Sequence, residues 1–412
     1  MRGSGKGGDT ARTGVVNYML KKISIILSLI FCFLISHPVF AADTRVPELR
    51  TGSFHATLLQ GISKTFNMEN AAADACFKKA IDLEPDHPTG YVLAAMLHSF
   101  AYEMSYSLEQ RQKEKEAILY YSEEALARGE KRIARYPKDS RAHLAMALAK
   151  IAKVNWALKE KKYLVLVRET SNIWDYLEEA KSADPNNYDV DFLMGWLHYH
   201  IDHFQGVTGL LSSWLIEDGN RQKGLQEITQ AAQNGYLLRD VAQAELLSVY
   251  LNFEKQPAKA LPILQDLKKK YPNNYNFCFA LGMTWVELHR LEEAQAVAVQ
   301  IEKNISSGTP PFVPQLWPRY YQLMGRIHFK RGEYGRAESY FQKVIQDKSF
   351  YNARTQARSL VYLGMIHDLR KERKYAEDYL QAGASKLKAP VGDLQRLNAK
   401  GYLKTPYRVN GK

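Results

Sequence analysis

Tyr320–Lys343 reads YYQLMGRIHFKRGEYGRAESYFQK, and this stretch decides the fold. A Leu-Met-Gly step ending at Gly325 is followed by His328, a turn glycine at Gly332, then Ala337 and Phe341. Gly325 and Ala337 are twelve positions apart. Two antiparallel helices approach closely only where each offers a small side chain at the crossing, and this spacing leaves room for a helix end, a turn and a re-entry. The segment therefore predicts a helical hairpin, with its turn at 331–334.

Working outward, a small residue is followed by an alanine at the same spacing in Gly61/Ala73, Ser248/Ala260, Gly282/Ala294 and Gly364/Ala376. These pairs place further turns near 68–70, 254–257, 289–291 and 371–374. Ala95, Ala147 and Gly195 mark three more candidate crossings, which makes eight hairpins separated by 34, 52, 48, 53, 34, 43 and 39 residues. The wide intervals require longer helices or insertions in the second, third and fourth units. The order large-Leu-Gly, then an aromatic-sized ring three positions on, then Ala and a large residue on the second run resembles the tetratricopeptide repeat (TPR) family. Phe77, Ala80 and Pro85 complete that pattern after Gly61/Ala73. The resemblance covers 54–385 and implies an all-α fold, a right-handed TPR-like α-solenoid of about eight helical hairpins. It points to an exported bacterial-type TPR protein once the amino-terminal segment is taken into account.

Met19 is followed by Lys21 and Lys22, an apolar run Ile23–Ile35, Pro38, and the small-x-small signature Val39-Phe40-Ala41. This is the pattern of a secretory signal peptide over 19–41, with cleavage after Ala41. The apolar run is shorter than the ~20 residues a transmembrane helix needs. Residues 1–18 lack apolar periodicity and read as a mis-assigned start or leader extension. The remaining 371 residues carry 51 basic and 43 acidic side chains, a moderately basic balance that favours acidic partners. No nucleic-acid motif accompanies it. The expected location is periplasmic or otherwise extracytoplasmic, with no integral membrane segment after cleavage and only peripheral contact with the envelope.

Within the array, 42–305 holds repeats 1–6 and 319–388 holds repeats 7 and 8. The intervening 306–318, SSGTPPFVPQLWP, contains four prolines, which cannot continue a helix. Residues 389–412 read as a capping helix at Asp393–Asn398 and a tail. A second irregular stretch, His203–Gly224, carries the apolar patch Leu210–Ile216. Cys76 and Cys278 lie about five repeats apart and read as thiols packed on helices rather than as a disulfide.

No nucleophile elbow, zinc-protease motif, phosphate-binding loop or dinucleotide fingerprint stands in a supporting context. No cofactor and no metal site are expected, and the chain does not read as an enzyme. His198, His200 and His203 cluster, yet only 200 and 203 share a helical face. His98, His198, His328 and His367 each follow their crossing residue by three positions, where the family commonly keeps a tyrosine packed on the second helix. They read as structural.

What the resemblance does imply is a concave groove lined by first-helix residues. Mapped onto this sequence, the first three units contribute Leu58, Ile62, Val92, Met96, Leu144 and Leu148, which are either groove wall or core of a tightly wound superhelix. The fourth and sixth supply Phe192, Trp196, Tyr199, His200, Phe279, Met283 and Val286. The seventh and eighth supply Arg319, Gln322, Arg326, Lys330 and Arg358. A gradient from aromatic to basic suits a protein or peptide with an apolar segment and an acidic end. The alternative is a binding protein for an apolar small molecule or lipid in a closed groove.

Overall fold

The computed structural model describes residues 52–170, 172–204, 219–349, 352–386 and 398–409. The leader over 1–41, the Leu210–Ile216 patch and all but the last residue of the expected helix Asp393–Asn398 lie outside these residues. Among the described residues the chain is helical, with no strand. Eight hairpins follow one another: α1 (Ser53–Phe66) with α2 (Asn70–Leu83), α3 (Pro88–Met104) with α4 (Leu108–Arg135), α5 (Ser140–Lys159) with α7 (Ile173–Ala183), and α8 (Tyr188–Phe204) with α9 (Arg221–Asn234). Then come α10 (Arg239–Ser248) with α11 (Pro257–Lys270), α12 (Tyr275–Glu287) with α13 (Leu291–Ser306), α14 (Trp317–Lys330) with α15 (Tyr334–Gln346), and α16 (Ala353–Leu369) with α17 (Arg373–Lys386). A short α18 (Ala399–Lys404) packs on α17. The wide intervals of the second and third units have the expected origin: α4 runs for 28 residues, and α6 (Tyr163–Thr170) is inserted between α5 and α7.

Local chemistry sets the helix ends. Ser107, Asp139, Asn220 and Asn274 each accept a backbone N–H of the first turn they precede, and the neutral Nδ1 of His87 does the same for Thr89 N–H at 3.2 Å. The five turns expected from the twelve-residue spacing fall at 67–69, 254–256, 288–290, 331–333 and 370–372. Their central residues, Met68, Lys255, His289, Gly332 and Lys371, all have φ between 54° and 77°. After four of them the next N–H reaches back five residues to a carbonyl of the first helix: Glu69 to Lys64, Arg290 to Trp285, Glu333 to His328 and Glu372 to His367, each at 2.9 Å. This is the left-handed Schellman closure, which satisfies a terminal carbonyl of the first helix and reverses the chain in three residues.

Packing then follows the small residues. A Cβ on Gly325 would lie 2.5 Å from the Phe341 ring, and one on Gly61 would lie 2.5 Å from Phe77. Gly364 lies as close to Leu380 and Gly195 to α9, while Ala95 and Ala147 are fully buried. Gly282 is tight for a different reason, because its nearest neighbour is Leu323 of the next hairpin. Ser248 departs from expectation. It is half-buried at a cavity wall, because a π-helical turn over Val249–Phe253 begins one residue later and rotates the following side chains out of the 3.6-residue register. The histidines take the tyrosine-like position: His98, His328 and His367 stack on Tyr121, Tyr340 and Tyr379 of their second helices, with ring centroids 5.2–5.5 Å apart. The proline-rich 306–318 segment contributes Phe312 and Leu316 to the core shared by the sixth and seventh hairpins. Both described cysteines are free; Cys278 is buried and Cys76 half-buried.

The superhelix closes on its own beginning. Phe66, at the end of α1, stacks on Tyr271 with 5.1 Å between centroids, and Asn274 Nδ2 donates to the Phe66 carbonyl at 2.7 Å. Asn273 N–H donates to Asn67 Oδ1, and the Tyr275 hydroxyl meets Met104 Sδ at 3.2 Å. Near the other end of α1, His55 contacts Arg141 and the ring of Tyr236. The first hairpin thus sits against the second through sixth, and Leu58, Ile62, Val92, Leu144 and Leu148 are core rather than open groove wall. What remains there is a cavity of about 160 Å³ between the second, third and fourth hairpins.

Candidate functional site

The groove survives in the second half of the array. The first helices of hairpins five to eight enclose a half-open cavity of about 610 Å³. Its wall runs from the π turn (Leu251, Asn252, Phe253) across α12 (Asn276, Phe279, Met283, Glu287) and α14 (Arg319, Gln322, Arg326) to α16 (Arg354, Thr355, Arg358). Arg319 and Arg326 are seven residues apart on α14, and Arg354 and Arg358 four apart on α16, spacings that put each pair on one helical face. Six of the residues marked from sequence, Phe279, Met283, Arg319, Gln322, Arg326 and Arg358, therefore share one cavity.

Electrostatics distinguish this cavity. Four guanidinium groups line it, and Glu287 is the one carboxylate among its described lining residues. Arg319 lies over the Phe279 ring at 4.4 Å and donates to Asn276 Oδ1 at 2.7 Å. Arg326 pairs with Glu287 and sits 5.6 Å from the Tyr362 ring centroid, with its side chain 14% exposed. Burial works against the Arg326 charge, and Tyr362 and Glu287 more than offset it. Burial also depresses Arg319 and Arg354. Arg358 is pushed down to about 9, first by burial and then by repulsion from Arg354, Arg326 and Arg319. These residues are crowded like charges around a half-open cavity, Arg354 exposed and the other three half-buried.

The remaining marked residues are placed differently. Tyr199 is fully buried, its hydroxyl donating to Glu254 at 2.5 Å, and Phe192 is buried in the core of the first half. His200 Nε2 meets Glu245 at 2.7 Å, whereas His198 Nδ1 meets Glu227 at 2.6 Å, so the two rings address carboxylates on different helices. Trp196 packs on His200, which packs on Phe253 of the cavity wall, so the aromatic group stands one layer behind the cavity. This corrects the expectation that Phe192, Tyr199 and His200 form open groove surface: α10 and its π turn cover α8 from that side. Lys330 is exposed and outside the cavity lining. Gln322 lines the cavity but spends its amide on the Thr355 carbonyl at 3.0 Å, tying α14 to α16. Arg354, Asn276 and Glu287 were not singled out from sequence. Arg354 was legible there, four residues before Arg358 on the same face.

Hairpins that stack in series and present their first helices to a common concave wall define a solenoid binding scaffold. Residues 318–346, the α14–α15 hairpin, match the tetratricopeptide repeat family model. That hairpin is a tetratricopeptide repeat. Similar solved structures include the human IFIT1 dimer with m7Gppp-AAAA, at 14% identity and a TM-score of 0.42, covering 86% of this chain and 83% of that one. A tetratricopeptide repeat protein from Parabacteroides merdae is 15% identical with a TM-score of 0.31, covering 75% and 98%. PilW, a type IV pilus biogenesis factor, is 14% identical with a TM-score of 0.26, covering 74% and 98%. No curated protein sequence matches the chain.

Proposed function

We propose that this chain is an exported, non-catalytic scaffold of the periplasm or cell envelope that holds an acidic polypeptide segment in the cavity of hairpins five to eight. One observation carries the reading: among the described residues four arginines and one carboxylate line a cavity of about 610 Å³ whose adjoining wall offers Phe279 and Met283. Arginine forks pair with carboxylates in bidentate geometry, and the apolar wall gives a hydrophobic side chain of the same segment somewhere to bury.

The test uses immobilised peptides of matched length and hydrophobicity carrying acidic, neutral or basic flanks, probed with the full chain. Acidic peptides are expected to bind, with affinity falling as salt is raised because exposed charge pairing is screened over about 8 Å at physiological ionic strength. Arg326→Glu should abolish that binding while the far-ultraviolet circular dichroism stays helical. Equal retention of acidic and basic peptides would overturn the reading. Export is tested separately: the secreted chain should begin at Ala42 or Asp43.

A further inference from the structure

We infer that α1 is a pH-sensitive clasp over the apolar inner wall of hairpins two and three, its closure weakened by acid through two histidines that act as hydrogen-bond acceptors in the seam. The device belongs to the closed half of the array and does not depend on the cavity of hairpins five to eight.

Donor and acceptor roles fix the protonation state. His55 Nε2 lies 2.7 Å from Arg141 Nη1, and a guanidinium only donates, so that ring nitrogen accepts. His87 Nδ1 accepts the Thr89 N–H at 3.2 Å, while its buried Nε2 has no partner among the described residues. An imidazolium carries a proton on both nitrogens and accepts nothing, so each ring is neutral while the seam is shut. Phe54, fully buried at the start of α1, packs against both, with ring centroids 5.6 Å from His55 and 5.4 Å from His87.

The charges around the seam work against an added proton. Arg132 of α4, Arg141 of α5 and His55 itself oppose one on His87. Asp139 favours it, but that carboxylate is already bound to Arg132 at 2.5 Å and to the Ala142 N–H. Tyr236, after α9, meets His55 with its ring, and Asp189 of α8 spends its oxygens on the N–H groups of Tyr236, Leu237 and Leu238. Elsewhere the pattern is reversed. His98, His200, His328 and His367 each meet a glutamate at 2.6–2.7 Å, a neighbour that accommodates an imidazolium. Acid is therefore directed at the first hairpin.

Burial and then Arg141 hold His55 below its ordinary range, and burial with the surrounding cations holds His87 at about 3. Release of α1 returns both rings to water, where histidine titrates at about 6.5. The closed form binds fewer protons, so closure is intact above about 6.5 and weakens as pH falls from there towards 3. A terminal unit of a stack can open without unstacking the rest. Opening takes Leu58 and Ile62 out of the core they share with Val92, Leu144 and Leu148, and turns that wall into an apolar groove.

Hydrogen exchange read by mass spectrometry on the full chain between pH 7.5 and 5, corrected for the intrinsic rate, measures the opening. Protection over 53–66 should fall by at least about thirtyfold, the linkage of His87 alone, while that of α14 and α15 holds. An environment-sensitive apolar dye should bind at pH 5 and leave on return to pH 7.5. In His55→Gln/His87→Asn the fall should vanish whatever the protection at pH 7.5, because neither ring is left to titrate. Arg141→Gln, at an exposed site, keeps a donor for His55 and removes a charge that opposes both protons, so its fall should be smaller than that of wild type. Protection over 53–66 that stays level with pH would overturn the inference. A fall shared equally by α14 and α15, one undiminished in the double variant, or opening without dye uptake would overturn it as well.

Discussion

Replacing Gly325 with alanine tests the helical crossing on which the repeat register rests. The new Cβ would lie 2.5 Å from Phe341 Cε1 and 2.8 Å from its Cδ1 and Cζ. Carbon atoms rest about 3.5–4.0 Å apart, so the ring must retreat by roughly 1 Å. It has nowhere to go: Phe341 is fully buried and stacked on Tyr362 at 5.0 Å, which in turn meets Phe329 at 5.1 Å. Overpacking of this kind costs about 1–3 kcal/mol, against which alanine recovers about 1 kcal/mol of helix propensity.

The control lies in the same hairpin. A Cβ on Gly335, at the start of α15, meets nothing within 4 Å, so Gly335→Ala should stabilise by up to about 1 kcal/mol. The two variants should therefore differ by about 1–3 kcal/mol in urea denaturation followed by circular dichroism. Phe341→Leu removes the obstructing ring edge. In a double-mutant cycle with Gly325→Ala it should restore a coupling of about 0.5–3 kcal/mol. Gly325→Ala behaving like Gly335→Ala, or a cycle that closes without coupling, would show that α14 and α15 do not cross at this glycine.

Two further outcomes follow from the turns and caps. His289 and Lys371 are exposed with φ of 57° and 64°, and a left-handed conformation costs a side-chain-bearing residue about 1–2 kcal/mol, so glycine at either position should raise the denaturation midpoint; a lowered midpoint in both variants would contradict the Schellman closure. Burial drives His87 down to about 3, aided by Arg132, Arg141 and His55 and opposed by Asp139. The folded ring stays neutral while the unfolded one takes a proton below about 6.5, so its contribution to stability is lost as pH falls from there towards 3 and amounts to roughly 2 kcal/mol at pH 5. His87→Asn keeps a capping oxygen and should flatten that part of the stability profile, and an unchanged profile would mean that the ring is not buried neutral.

The hairpins were legible because their determinants are local. A small residue at a crossing, an alanine on the returning helix and a three-residue turn all lie within one window of sequence, so Gly325, Gly364 and Gly61 expose the fold without reference to the rest of the chain. The left-handed centres of the turns were less legible, since only Gly332 among five announces itself by residue type. Closure of the superhelix was not legible at all. Phe66 and Tyr271 meet across more than two hundred positions, and neither belongs to a pattern that names its partner. The same holds for Tyr199, which occupies a groove-facing register but is covered once the π turn after Ser248 brings Phe253 and Glu254 against it.

That closure also explains why the binding surface lies where it does. Inward positions of the first hairpins carry Leu58, Ile62, Val92 and Leu148, side chains whose burial is favourable by about 1.5–3 kcal/mol each, and the coil tightens until they are covered. Inward positions of hairpins seven and eight carry Arg319, Arg326, Arg354 and Arg358, which repel one another and resist removal from water. A superhelix with one geometry throughout would have to leave the leucines wet or force the arginines together. Here the first half closes over its apolar wall and the second half stays open around its charges. The residues least able to form a core thus keep the groove available.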